Sequence, residues 1–237
     1  MRSSYWNFLP IVLLLMLGLA EYRYAPKYVF VPNDVKITIP EGMNIADIDQ
    51  MLTKAGIVLQ GTLLTPEYLK LEGVLFPNTY RFDKDSDAED IVVRMRKEYP
   101  DREILIIASL LEKEVQTETD MRLVAGIIQK RRTAGMALQV DATVAYGACY
   151  PKFLAGTYCD VSKINIVDNI KRDSAYNTYT RTGLPQGPIG NPGSKAISAA
   201  QNPQTSEYWY YLSTKDGTTI FSRTLEEHNR ARARYLR

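Results

Sequence analysis

Residues 102–115, REILIIASLLEKEV, constrain this chain more than any other stretch, because a helix drawn through them is apolar in nearly every direction. At about 100° per residue, only Ser109 and Lys113 interrupt the apolar surface of its body, and they mark the expected wet side. The run ends abruptly in Glu112-Lys113-Glu114. On the wheel Glu112 lies roughly 80° from the wet direction and Glu114 roughly 120°, so Glu114 is expected to be the more buried carboxylate. Burial disfavours the ionised form and raises the pKa, which suits a general acid working near neutral pH. Glu112 reads as a rim or salt-bridge residue. The alternative for the pair is structural: glutamates at a helix end, bonded to Arg131, Arg132 or a loop amide.

With 237 residues, 45% of them hydrophobic, the chain is long enough to bury a real core around such a helix. VKITIP (35–40) alternates as a half-buried strand does. Asn44 can cap a following helix that carries Ile45, Ile48 and Met51 on one face and stops at Gly56. In 66–82, PEYLKLEGVLFPNTYRF, Gly73 and Pro77 suggest a tight connection between two domains. Helical patterns cover 87–99, 102–115 and 118–133, the last closing at Gly135. YNTYTRTGLPQGPIGNPG (176–193) holds four glycines and three prolines and must be an irregular loop. Ordered loops of that length commonly bind or catalyse, and a linker is the alternative. A short helix at 194–200, strands in YWYYLST and TTIFSRT joined at Asp216-Gly217, and a terminal helix over 225–237 complete an α+β pattern.

Several function classes fall away. The net charge of +2, from 29 basic and 27 acidic residues, supplies no field for nucleic acid. No nucleotide loop, Ser-His-Asp arrangement or metal-ligand spacing can be assembled, so no cofactor or metal is expected. The single histidine, His228 in EEHN, reads as a packed or capping residue before a base. Sixteen tyrosines against six phenylalanines permit carbohydrate, since a tyrosine stacks on a sugar face while its hydroxyl bonds; tyrosines also simply fill half-wet surfaces. FLPIVLLLMLGLA (8–20), after Arg2, Tyr5 and Trp6, is a membrane-targeting segment. It serves as a retained anchor or, with a small-x-small site at Gly18-Leu19-Ala20, as a cleaved leader, and either way the bulk of the chain lies outside the cytoplasm. Such a location allows a Cys149–Cys159 disulfide, worth about 2–3 kcal/mol for so short a loop, with unpaired thiols as the alternative.

LEGVLFPNTYRF, IIASLLEKEVQTETDMRLVAGIIQKRRTAGMALQVDATVAYG, SAYNTYTRTGLPQGPIGNPGSKAISAAQNP and YWYYLSTKDGTTIFSRTLEEHN occur in that order between about residues 70 and 229. Together they resemble the successive signatures of the endolytic murein transglycosylase (YceG-like) family. The segment 35–58 resembles the small LysM-like module that precedes catalysis in that family, and the apolar amino terminus resembles its inner-membrane anchor. Three departures stand out: the run before LEGVLFP is shortened, QVDATV replaces the usual QTDPTV, and a cysteine-flanked segment fills a site of unrelated insertions.

The resemblance implies a membrane segment over 1–22, a LysM-like module over 23–65 and a mixed helical and β catalytic domain over 66–237 with a long Gly/Pro-rich loop. It implies endolytic cleavage of the MurNAc-β-1,4-GlcNAc bond of nascent peptidoglycan strands with formation of a 1,6-anhydroMurNAc end. It places the catalytic carboxyl on Glu114, and Glu72, Tyr80, Gln139, Asp141, Thr143, Tyr146, Asn177, Tyr179 and Asn191 around the substrate. Glycan strands and peptidoglycan synthases are the implied partners, and the extracytoplasmic side of the inner membrane is the implied location. A membrane-tethered wall-binding scaffold without catalysis is the rival reading.

Overall fold

Short polar side chains set the helix boundaries in this chain. The computed structural model describes residues 33–98 and 101–235. Asn44 opens α1 (Ile45–Lys54), its Oδ1 accepting from the Asp47 amide at 2.9 Å, and Gly56 (φ +71°) lies just past the end. Thr65, Asp87, Asp101 and Thr117 cap α2 (Pro66–Leu69), α3 (Ala88–Met95), α4 (Arg102–Glu114) and α5 (Glu118–Thr133) in the same way. Then follow α6 (Asp141–Leu154), a 3₁₀ turn (Val161–Lys163), α7 (Ile166–Asn169), α8 (Ser194–Gln201) and, near the end, α9 (Leu225–Tyr235). Strand β1 (Asp34–Thr38) pairs antiparallel with β2 (Thr79–Asp83), and β3 (Tyr210–Ser213) with β4 (Thr219–Ser222). The class is α+β, and the residues from 34 onward form one unit.

The apolar helix lies at the centre. Every residue of α4 from Leu105 to Leu111 is buried, and α8 packs on both α4 and α5. Ser109 corrects the expected wet side: it is 0% exposed, its hydroxyl donates to the Ile106 carbonyl at 2.7 Å, and it accepts from the Ile189 amide at 3.1 Å. A hydroxyl satisfied twice costs little inside a core, so its polarity did not report exposure. After α8 the chain lies directly on α5. A Cβ at Gly126 would stand 2.0 Å from the Gln204 carbonyl, so only glycine permits that approach.

Elsewhere the expected pattern shifts where tertiary pairing wins. Helix α3 ends at Met95, not near 99, because Arg96 turns extended (ψ 129°) and the 95–97 backbone bonds back to Val74 and Phe76. Residues 66–82, read as a connection, instead form α2, a turn at Gly73 (φ +92°) and β2, which sets Tyr80 against Ile37 and Phe82 against Val35. Helix α6 carries no side-chain N-cap and contains Gly147 and Pro151, so it gave no start signal in the sequence. The end of α6 is joined to the following loop by the Cys149–Cys159 disulfide, with Cα atoms 5.5 Å apart.

One side chain ties the long loop to the amino-terminal half. Asn191 is 0% exposed; its Oδ1 accepts from the Gly73 and Leu75 amides at 2.9 Å each, and its Nδ2 donates to the Met43 carbonyl and to Glu72 Oε1 at 3.0 Å each. Removing it strands two buried amides, a carbonyl and a carboxylate. Asn191→Ala should therefore lower stability by about 3 kcal/mol, read as a fall in the thermal midpoint of more than about 5 °C. A midpoint within a degree of wild type would contradict this arrangement.

Candidate active site

Glu114 is the last residue of α4, where Val115 leaves the helix in extended conformation (φ −146°) and turns the carboxyl into a cavity of about 600 Å³. The cavity wall is built from α4, α5 through Arg131, the segment before α6 and its first residue, the long loop, the β3 strand and α9, and is polar and aromatic. Ser213 Oγ on β3 donates to the Glu114 carbonyl at 2.6 Å and fixes the helix end to the hairpin. Two residues earlier on the same strand, the half-buried Tyr211 sets its hydroxyl against the Glu114 carboxyl.

Burial pushes the Glu114 carboxyl up to about 7; the Tyr211 bond opposes this and the negative charge of Asp141 adds to it. Asp141, the first residue of α6, is held by the Tyr179 hydroxyl, which donates to its Oδ1 at 2.6 Å. Gln139 completes this wall in the left-handed region (φ 55°), the one non-glycine with positive φ among the described residues. That strained conformation is held by the Gln139 amide donating to the Thr178 carbonyl at 3.1 Å and the Val140 amide to Thr178 Oγ1 at 3.0 Å. Strain maintained by the surroundings at a cavity wall is a mark of a functional position.

The candidate residues read from the sequence therefore divide into two groups. Glu114, Gln139, Asp141 and Tyr179 share the cavity. The others are not among the residues of its wall. Glu72, 3% exposed, accepts from the Ile45 amide (3.1 Å to Oε2), the Tyr146 hydroxyl (2.9 Å) and Asn191. Thr143 bonds Thr178 at 2.9 Å, and Asn177 Nδ2 donates to the carbonyls of Ile170 and Arg172. Tyr80 donates to the Phe76 carbonyl from β2. These side chains hold the frame that carries the wall, because each spends its polar atoms on neighbouring protein groups.

Glu112 is apart from the cavity and accepts from the Gly193 amide at 3.0 Å, the loop-amide alternative. Its carboxyl is raised by burial, and less by Glu41. Of the basic residues considered for the pair, Arg132 bonds Glu103 and Arg131 bonds backbone carbonyls. Sequence reasoning missed Tyr211, Ser213 and the cavity position of His228, whose ring stacks on Tyr210 at 5.4 Å. A tyrosine inside YWYYLST carries no local sign of which carboxyl it will meet. Among the described residues no cluster of three metal-ligating side chains occurs, and no helix is long and apolar enough to cross a membrane. The expected membrane segment, 1–22, lies outside the described residues.

Comparison with known proteins bears on this site. Residues 23–234 match the model of the YceG-like family. The chain is 36% identical over 183 residues to an endolytic murein transglycosylase of Bacillus subtilis (strain 168), covering 70% of this chain and 48% of that protein. It is 29% identical over 184 residues to one of Streptococcus pneumoniae (serotype 2, strain D39), covering 70% of this chain and 32% of that protein. It thus spans about half or less of the length of these curated relatives. A crystal structure of a yceG-like protein from Listeria monocytogenes superposes with a TM-score of 0.68 at 30% identity, over 83% of this chain and 75% of that one.

Two raised carboxyls have a measurable consequence. Glu72, like Glu114, is pushed up to about 7, chiefly by burial. Both bind their protons more tightly folded than unfolded, so stability should fall as pH rises from about 4.5 to about 7 and level off above. Asp160, Asp173 and Asp216, whose carboxyls are lowered, act below this window; the raised carboxyls of Asp47 and Glu112 add to the fall, and the lowered imidazole of His228 opposes it as a single half-buried group. The thermal midpoint should decline from pH 5 to pH 7, and more shallowly in Glu114→Gln. A midpoint that rises with pH across that interval would contradict the burial of these carboxyls.

Proposed function

The chain belongs to the YceG-like family, and from that premise we propose that it is a peptidoglycan lytic transglycosylase acting inside glycan strands through Glu114. The observation that carries the proposal is a carboxyl with a pKa near 7 facing a cavity walled by tyrosines and amides. Such a group is protonated in a useful fraction at neutral pH and also returns to carboxylate readily. Glu114 donates its proton to the glycosidic oxygen as the C1–O bond of the muramoyl residue breaks. The C6 hydroxyl then bonds to C1, its proton passes back to Glu114, and a 1,6-anhydro ring results without water entering the products.

The oxocarbenium-like charge that develops at C1 needs negative or dipolar neighbours. Asp141, oriented by Tyr179, supplies a carboxylate, and Gln139 an amide. Tyr211 orients Glu114 and limits how far its pKa climbs. Asp141 in the same cavity also makes water activation conceivable on chemical grounds, which the products decide.

The further parts of the reading rest on the sequence resemblance. Residues 23–65 serve as a LysM-like module that engages the strand. Residues 1–22 anchor the chain in the cytoplasmic membrane with the catalytic residues outside, where nascent strands and their synthases are at hand.

The test is to incubate the full-length protein with uncrosslinked strands and read the new ends by mass spectrometry. Ends of 1,6-anhydroMurNAc support the transglycosylase; reducing ends heavier by one water identify a hydrolase, and intact strands a binding scaffold. Glu114→Gln should lower the rate by about 10²–10⁴-fold while the protein stays folded, and Glu112→Gln should cost far less. Near wild-type activity in Glu114→Gln would remove the assignment.

A further inference from the structure

The cavity carries positive charge that the transglycosylase chemistry does not use. Arg131 on α5 is 6% exposed, yet its partners are the carbonyls of Trp209 (2.8 Å to Nε), Ala137 and Leu138 (3.3 and 2.9 Å to Nη1), which leaves Nη2 for a ligand. Its guanidinium lies 5.0 Å from the centre of the Tyr210 ring, on which His228 also stacks. One turn after His228 on α9 comes Arg232. Arg131, His228 and Arg232 all line the cavity; burial lowers the imidazole pKa, and the positive charges of Arg232 and Arg131 add to this. None of the three is in an ion pair among the described residues. His228 Nδ1 is buried without a hydrogen-bond partner.

Arg131 is a buried cation without an anion, which is costly, and the exposed Arg232 adds positive charge beside the same imidazole. They would also oppose positive charge developing at C1, so they do not belong at the bond being cleaved. Arg131 and His228 meet on the Tyr210 ring, whereas the Glu114 carboxyl is bonded by Tyr211, so the cations are held on a different tyrosine of the same wall. An anion borne by the substrate at a distance from C1 would neutralise them.

We infer that Arg131, His228 and Arg232 form a subsite for a carboxylate carried on the muramoyl substituent, so that the protein selects strands by what hangs from the glycan. This rests on the function proposed above. The carboxylate has two sources: the stem peptide, or the lactyl group where the peptide has been removed. A guanidinium pairs with either through parallel N–H···O bonds.

The experiment uses the full-length protein and three uncrosslinked substrates: strands with free stem carboxylates, strands with those carboxylates amidated, and strands stripped of peptide. Wild type should prefer carboxylate-bearing strands over amidated ones in kcat/KM. Arg232→Gln should shrink that preference about tenfold, mainly through KM, with partial recovery in Arg232→Lys. Preference for free stems assigns the peptide, and preference for stripped strands the lactyl group. Equal losses on all three substrates, or no loss, would overturn the subsite. Calorimetric binding of a muramoyl dipeptide and of its amidated form, to wild type and Arg232→Gln, is read independently of turnover. Binding that depends on both the carboxylate and Arg232 keeps the subsite even if no anhydro ends form, in which case only the catalytic reading fails; binding indifferent to either overturns it.

Discussion

Everything near the amino-terminal half hangs on one buried carboxyl. Glu72 receives the first amide of α1, the hydroxyl of Tyr146 on α6 and the amide of Asn191 in the long loop. Three segments far apart in sequence converge on two oxygens, and Asn191 extends the set to the amides of Gly73 and Leu75 and the carbonyl of Met43. A carboxyl group 3% exposed persists only when each lone pair is used, which is why the loop cannot drift from the helix it touches. The loop residues that follow and precede this junction, Gly193 at Glu112 and Tyr179 at Asp141, are placed as a result.

The cavity holds its charges on different partners. A single carboxyl is kept near neutral pH by burial, moderated by the Tyr211 hydroxyl, with a second carboxylate held by Tyr179. Arg131 and His228 meet on Tyr210, and Arg232 follows one turn along α9. Chemistry that builds positive charge suits the carboxyls, and recognition of an anion suits the cations. A single hairpin supplies Tyr210, Tyr211 and Ser213 to this division, so a shift of register by one residue would exchange Tyr211 for Tyr210 beside Glu114.

How much was legible in advance followed the range of the interactions. Caps act within a few residues, so Asn44 and the glycines at 56 and 135 announced their helices in the sequence itself. Glu114 was legible because an apolar helix makes the fate of its terminal carboxyl a matter of angle alone. The same wheel misjudged Ser109, whose partner is Ile189, eighty residues on. Glu72 and Asn191, expected around the site, are held outside the cavity wall by partners up to 148 residues away, which no local pattern records. Strand β2 and helix α6 were missed for the same reason: one is specified by β1, the other by packing without caps.

The span of those Asn191 bonds sets an order of assembly. Bonds separated by 116 to 148 residues close very long loops, and loop closure costs entropy before the contact returns anything. The capped helices can form within their own segments, whereas the junction waits for the chain on both sides to be present. The wall that carries Gln139, Asp141 and Tyr179 shares this late step through Thr178, which both accepts from the Gln139 and Val140 amides and follows Asn177 in the loop. A partly folded molecule would therefore hold Glu114 on a formed helix with no cavity around it. The arrangement around Glu114 is then complete only at the end of folding, and a chain still partly folded carries its carboxyl without the walls that would let it act.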